Sequence, residues 1–220
     1  MGKNKLKRFA VNEVAENVIQ PGKPFFDNSK GQWNQFFKNN NPITVEIGCG
    51  NGEYTTGLAE AFPERNFIGT DIKGARIWKG SQTAIEKGLT NAAFLRTRIE
   101  FTEKHFGPEE ISEIWITFPD PQLKDNREKH RLTHPRFLKI YKTFLKQGGI
   151  IHLKTDSREL YDYTLEILKN EVISDLVFTD NLYQNEQLLP LHMGIQTKYE
   201  RMFLAEGKKI NYLRFRYNLQ

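Results

Sequence analysis

The chain has 220 residues, with 32 Lys and Arg against 27 Asp and Glu and a formal net charge of +5. That length suits one sizeable domain, and 16 Phe, 8 Tyr and 3 Trp can fill a packed core, which excludes global disorder. A single cysteine excludes a disulfide framework and a multi-cysteine zinc site, and no apolar stretch approaches the roughly 20 residues of a membrane span, so a soluble, cytoplasmic protein is expected.

Residues 1–42 read as an N-terminal extension that packs on or trails the core. Pro21, Pro24 and Pro42 interrupt it, while Trp33, Phe36 and Phe37 offer one apolar face. From residue 43 to the end, strand-like and helix-like segments alternate. Strands are predicted over 43–47, 66–70, 92–95, 111–118 and 150–154, and helices over 54–62, 75–87 and 137–146, the last ended by Gly148-Gly149. Ser157 is placed to cap a further helix. A strand over 172–179, a loop over 181–198, a helix over 199–205 and a strand over 212–217 complete the chain. Such alternation predicts a Rossmann-like, doubly wound α/β sheet of seven strands, mostly parallel with a reversed edge strand.

The location of the charge says more than its sum. Residues 124–142 hold seven cations against Asp125 and Glu128, an excess equal to that of the whole chain. Smaller basic clusters sit at Lys3, Lys5, Lys7 and Arg8 and at Lys208, Lys209, Arg214 and Arg216. A local basic surface attracts phosphates without reading sequence.

The first strand ends in Val45-Glu46-Ile47-Gly48-Cys49-Gly50-Asn51-Gly52. A glycine turn between a strand and a helix lets backbone approach a ligand that side chains would block. The spacing is G-x-G-x-G, not the G-x-G-x-x-G of a dinucleotide site. Asp71 ends the next strand, where a carboxylate can accept from both hydroxyls of a ribose. Glu46, a costly acid to bury unpaired, is expected to face a ligand or water. These residues resemble the class I S-adenosylmethionine-dependent methyltransferases. The resemblance implies that Glu46, Gly48, Gly50, Gly52 and Asp71 hold the cofactor. Adenine would meet the loop Leu95–Glu100, with Arg98 contributing through its backbone or Glu100 as another acceptor.

After the fourth strand comes Phe118-Pro119-Asp120-Pro121, whose prolines favour an extended, rigid presentation of Asp120. With Lys124 and Lys129-His130-Arg131, it closely resembles the bacterial tRNA (guanine-N7-)-methyltransferase family. Leu153-Lys154-Thr155-Asp156 and Thr197-Lys198-Tyr199-Glu200 match two later signatures of that family, in the same order. Gln122, Leu123, Asn126 and His130 depart from it, thinning the aromatic and basic character of the 118–134 loop.

The resemblance implies methyl transfer from S-adenosyl-L-methionine to guanine N7 at position 46 of the tRNA variable loop, with S-adenosyl-L-homocysteine as product. Asp120 is the candidate catalytic residue, stabilising developing positive charge or holding the guanine and the methionine end of the cofactor. Lys124, Asp156, Thr197, Lys198, Tyr199 and Glu200 are candidates for substrate binding, and Arg127, Lys129 and Arg131 for RNA contact. Thr197-x-x-Glu200 equally fits a helix capping box. His105, His152 and His192 lack ligand spacing and read as packing or surface residues, Cys49 reads as a space filler, and no metal is indicated. The alternatives are a methyltransferase of another RNA or a small molecule, or a catalytically silent RNA-binding protein. A monomer or homodimer is expected.

Overall fold

A computed structural model describes residues 3–218; the first two and last two residues, including the very start of the N-terminal extension, lie outside the described residues. Helix α1 (Lys3–Val14) leads into a two-residue strand, β1 (Val18–Ile19), and two short helices follow, α2 (Pro24–Asp27) and α3 (Trp33–Phe37). Alternation then begins: β2 (Ile43–Ile47), α4 (Glu53–Ala61), β3 (Asn66–Asp71), α5 (Gly74–Glu86), β4 (Ala92–Arg96), β5 (Ile111–Thr117), α6 (Pro135–Lys142), β6 (Leu145–Thr155) and α7 (Arg158–Leu168). The chain ends with β7 (Ile173–Thr179), α8 (Lys198–Ala205) and β8 (Asn211–Tyr217).

Among the described residues the sheet has eight strands in the order β1-β4-β3-β2-β5-β6-β8-β7. That is one more than the sequence pattern predicts. The addition is β1, whose Val18 and Ile19 pair in parallel with Phe94 and Leu95 of β4. Two residues are too few to show an alternation, so the pattern does not reveal it. The reversed strand also sits differently. β8 runs antiparallel to both β6 and β7, so it lies one place in from the edge.

All five residues of β2 are buried, as a central parallel strand covered on both faces requires. One apolar layer joins Val45 and Ile47 to Trp33, Phe137, Leu138 and Leu160. The other joins Tyr54, Leu58 and Ile77 to Phe94, Trp115 and Tyr212. The N-terminal segment belongs to this core. Trp33 is fully buried, its Nε1 donates to the His105 carbonyl at 2.8 Å, and Phe25 meets it edge-on at 5.3 Å. Truncating a buried ring of this size costs about 3–5 kcal/mol.

Helix α6 is shorter than predicted. It stops at Lys142, and Leu145 already pairs with Ile111 in the sheet. The register jumps from that pair to Glu113–Ile150, so Lys146–Gly149 forms a bulge in β6. Gly148 takes φ +68° there, and the Gly-Gly pair, predicted to end a helix, serves the bulge instead. No helix among the described residues is long and apolar enough to cross a membrane.

The connection from β2 runs to β3 on one side, and β5 returns to pair on the other. The sheet therefore has its topological switch point between β2 and β5, where open α/β sheets bind ligands beyond the carboxyl ends of their strands. Register places Ile47 beside Thr70 and Ile116, and Thr117 beside Lys154, so the loops after these strands emerge together.

Candidate active site

The glycine turn leaves β2 by a sharp reversal. The N–H groups of Gly48 and Cys49 both donate to the Thr70 carbonyl at 2.9 Å, and Gly52 N–H donates to Cys49 at 2.8 Å. Gly50 and Gly52 adopt φ +54° and +71°, a region costly for residues with a Cβ. Gly52 has a second constraint, because a Cβ there would lie 2.5 Å from the Phe94 ring. A Cβ on Gly50 would meet nothing within 4 Å, so this side of the turn opens into free space. Asp71 fixes the turn: its Oδ2 accepts from Gly50 N–H at 3.0 Å and its Oδ1 from Lys73 N–H at 2.7 Å.

Glu46 lies behind the turn at 3% exposure. It does not face solvent. Its Oε2 accepts the Thr55 N–H at 2.9 Å and the Thr55 hydroxyl, and its Oε1 accepts the Thr117 hydroxyl at 2.6 Å. It thus joins β2, α4 and the end of β5 across the switch point. Burial pushes its carboxyl up to about 7, against hydrogen bonds from Thr117 and Thr55 that favour the charged form.

This raised value has a definite sign. The folded protein keeps the proton above the ordinary value of 4.5, whereas the unfolded chain has released it. Stability therefore falls as pH rises from the ordinary value to about 7, by up to about 3 kcal/mol in total. In Glu46→Gln, whose amide mimics the protonated acid, melting temperature without cofactor should match the parent at pH 4 and exceed it at pH 8. Parallel melting profiles across that interval would show that the Glu46 carboxyl is not raised.

The Phe118–Gln122 loop is a turn bracketed by two left-handed residues, not the extended segment the prolines suggest. Phe118 has φ +47° and Gln122 φ +50°, and Asp120 Oδ1 accepts the Gln122 N–H at 3.1 Å. Two contacts brace it. Phe118 N–H donates to the Lys154 carbonyl at 2.8 Å, and Arg131 Nε donates to the Gln122 carbonyl at 3.4 Å. Arg131, expected at the RNA, also stacks on Tyr163 at 4.4 Å and so serves the loop. Lys124, Arg127 and Lys129 are exposed on the 3-10 turn Asp125–His130 and its N-cap.

On the far wall, Thr197 caps α8 by accepting the Glu200 N–H at 3.1 Å. Glu200, a candidate for substrate binding, is fully buried: Lys154 Nζ approaches its two carboxylate oxygens at 2.7 and 2.9 Å, and Tyr183 donates to it at 3.0 Å. Lys154 is likewise fully buried, and burial lowers its pKa against the opposing charge of Glu200. Lys198 N–H and Arg201 both bind Glu53, at 2.7 and 3.2 Å, tying this wall to α4. Asp156 pairs with Lys208 at 3.4 Å.

Between the walls lies a cavity lined by the glycine turn, Thr117, Phe118, Thr197 and Tyr199. Arg98 is not part of it; its exposed side chain pairs with Glu100 at 3.8 Å. Sequence reasoning missed Asn51, Glu53 and Arg76, which also line the cavity. Arg76 had one available signal, its place in the first turn of the helix that Asp71 precedes. The isolated histidines pack: His105 contacts Ser29 at 3.0 Å, His152 stacks on Trp115 at 3.8 Å, and His192 is 6% exposed.

Comparison with known proteins shows the family. A family model described as "Putative methyltransferase" matches residues 40–213. The chain is 51% identical over 219 residues to a tRNA (guanine-N(7)-)-methyltransferase of Cytophaga hutchinsonii, covering 99% of each chain. It is 53% identical to one from Christiangramia forsetii, covering 97% of this chain and 98% of that one. In fold it is similar to the 16S rRNA methyltransferase KamB, with a TM-score of 0.64 at 14% identity over 86% of this chain and 94% of the other. From the glycine turn to the cap of α8, and across nearly its full length, the chain belongs to the tRNA (guanine-N(7)-)-methyltransferase family.

Proposed function

We propose that the protein transfers the methyl group of S-adenosyl-L-methionine to N7 of a guanosine at position 46 in the variable loop of tRNA, leaving S-adenosyl-L-homocysteine. The observation that carries this reading is the cavity itself, where the glycine turn, the start of the Phe118–Gln122 loop and the cap of α8 meet. The residues fit the donor: Gly50 opens into free space, and Asp71 stands beside it at the strand end.

When bound, the donor supplies a methyl group already activated by its sulfonium. Asp71 receives the ribose hydroxyls, while Gly48, Gly50 and Gly52 leave room for the methionine part. Glu46 acts from behind, holding the turn and Thr117 in place. Arg98 offers its backbone to the adenine side.

Guanine N7 carries an in-plane lone pair, so the chain needs no base to deprotonate it. The work is alignment, which can contribute several kcal/mol, together with a carboxylate that favours the charge developing on the imidazole half of guanine. Asp120 fills that role. Lys124, Asp156, Lys198 and Tyr199 contact the guanosine and its phosphates, and Thr197 with Glu200 holds the wall that presents them. Arg127 and Lys129 meet the RNA backbone.

The test is incubation with methyl-labelled S-adenosyl-L-methionine and unmodified tRNA, followed by chain scission at 7-methylguanosine. Label should enter tRNA, and scission should map to the variable-loop guanosine. Absence of transfer to every tRNA that carries such a guanosine would sink the reading.

A further inference from the structure

We infer that Arg76 binds the carboxylate of the donor's amino-acid end. This rests on the proposed use of S-adenosyl-L-methionine and extends it to a residue outside the family signatures. Arg76 lies in the first turn of α5 and lines the cavity.

The packing of α5 brings it there. A Cβ on Gly80 would lie 2.9 Å from the Asn51 carbonyl oxygen, and one on Gly52 would lie 3.0 Å from the Gly80 Cα. The helix therefore rests directly on the glycine turn. Arg76 precedes Gly80 by four residues, so it shares that face, and helical side chains lean toward the N-terminus. The N-terminus of α5 follows the carboxyl end of β3, so the lean carries the guanidinium toward the open side of the turn.

Charge accounting singles out this residue. Among the described residues that line the cavity Arg76 is the one cation, and three cations of the surrounding walls are paired: Lys154 with Glu200, Arg201 with Glu53 and Lys208 with Asp156. Among the described residues Arg76 has no carboxylate partner within 4 Å. The acid that lines the cavity, Glu53, is committed to the wall of α8, and Glu46 behind the turn is held by Thr55 and Thr117. A free guanidinium there is complementary to a ligand carboxylate, which it can bind through two parallel charge-assisted hydrogen bonds. The donor has one anionic group, its α-carboxylate. The other anion within reach of this surface is an RNA phosphate, and the experiment separates the two.

Calorimetry would compare S-adenosyl-L-homocysteine with 5′-methylthioadenosine, which keeps the adenosine and sulfur but lacks the amino-acid end. Each would be titrated into the parent protein, Arg76→Met and Arg76→Lys, with tRNA binding measured alongside. Affinity of Arg76→Met for S-adenosyl-L-homocysteine should fall about 30-fold, the size of a charge-assisted contact. Its affinity for 5′-methylthioadenosine and for tRNA should be unchanged, which also shows an intact fold, and Arg76→Lys should recover part of the loss. Equal weakening of both small ligands, or of neither, would overturn the assignment. Loss of tRNA affinity with S-adenosyl-L-homocysteine binding retained would overturn it in favour of a phosphate. If the parent protein bound neither small ligand, the underlying cofactor reading would fall with it.

Discussion

Asp120→Asn should slow single-turnover methyl transfer by about a hundredfold while leaving the melting temperature unchanged, a loss typical of one preorganised electrostatic group. The side chain is exposed, so its replacement removes no core packing. Its Oδ1 accepts the Gln122 N–H, and an asparagine oxygen can keep that bond, so the turn survives and only the charge is lost. The turn is held in a costly conformation. Left-handed residues at Phe118 and Gln122 cost on the order of 1–3 kcal/mol each and persist where surroundings over-determine them. Here the Lys154 carbonyl, the Phe203 ring 5.8 Å from Phe118, and Arg131 do so. Such bracing lets a carboxylate meet developing charge without first reorganising. Asp120→Ala removes both charge and turn bond and should be at least as slow. A full rate in Asp120→Asn would show that the charge is unused, and a full rate in both variants would remove Asp120 from the mechanism.

What the sequence made legible was local. The glycine turn and Asp71 could be read because their spacing lies within one β-α-β unit, and the structure joins them through Gly50. The parallel strands β2 to β5 were readable as short apolar runs between turn residues. Contacts between distant segments were not. Thr197-x-x-Glu200 admitted both a cap and a substrate contact; the structure shows Thr197 capping α8, while Lys154 on a strand 46 residues away claims the Glu200 carboxylate, a partner that local spacing does not reveal. The basic run and the resemblance mark Arg131 as an RNA-contact candidate, but its neighbours Gln122 and Tyr163 are set by tertiary packing that neither reveals. The helix of residues 137–146 was over-extended for a related reason. Phe144 and Leu145 continue an apolar pattern, but Leu145 enters the sheet opposite Ile111. Periodicity could not distinguish these outcomes.

Lys154→Met should destabilise the protein by about 3–5 kcal/mol, because it leaves the Glu200 carboxylate buried without its cation. For a chain of this size that corresponds to a fall in melting temperature of about 10 °C. Lys154 and Glu200 are both fully exposed to this penalty, having no side-chain contact with solvent. Tyr183, which also donates to Glu200, is half-buried and cannot supply the missing charge. The double variant Lys154→Met/Glu200→Gln should recover most of the stability, since removing both charges also removes their desolvation cost. A double-mutant cycle on thermal melting would measure the coupling. If the double variant lost as much as the sum of the single ones, the two side chains would not be acting as a pair. The pair also connects two segments read separately from the sequence, the end of β6 that leads to Asp156 and the cap of α8 that carries Thr197 and Tyr199. The double variant, restored in stability, should still bind S-adenosyl-L-homocysteine but show a raised KM for tRNA, because its α8 wall is no longer locked to the sheet beneath Phe118. An unchanged KM would mean that the pair stabilises the fold without positioning the substrate wall.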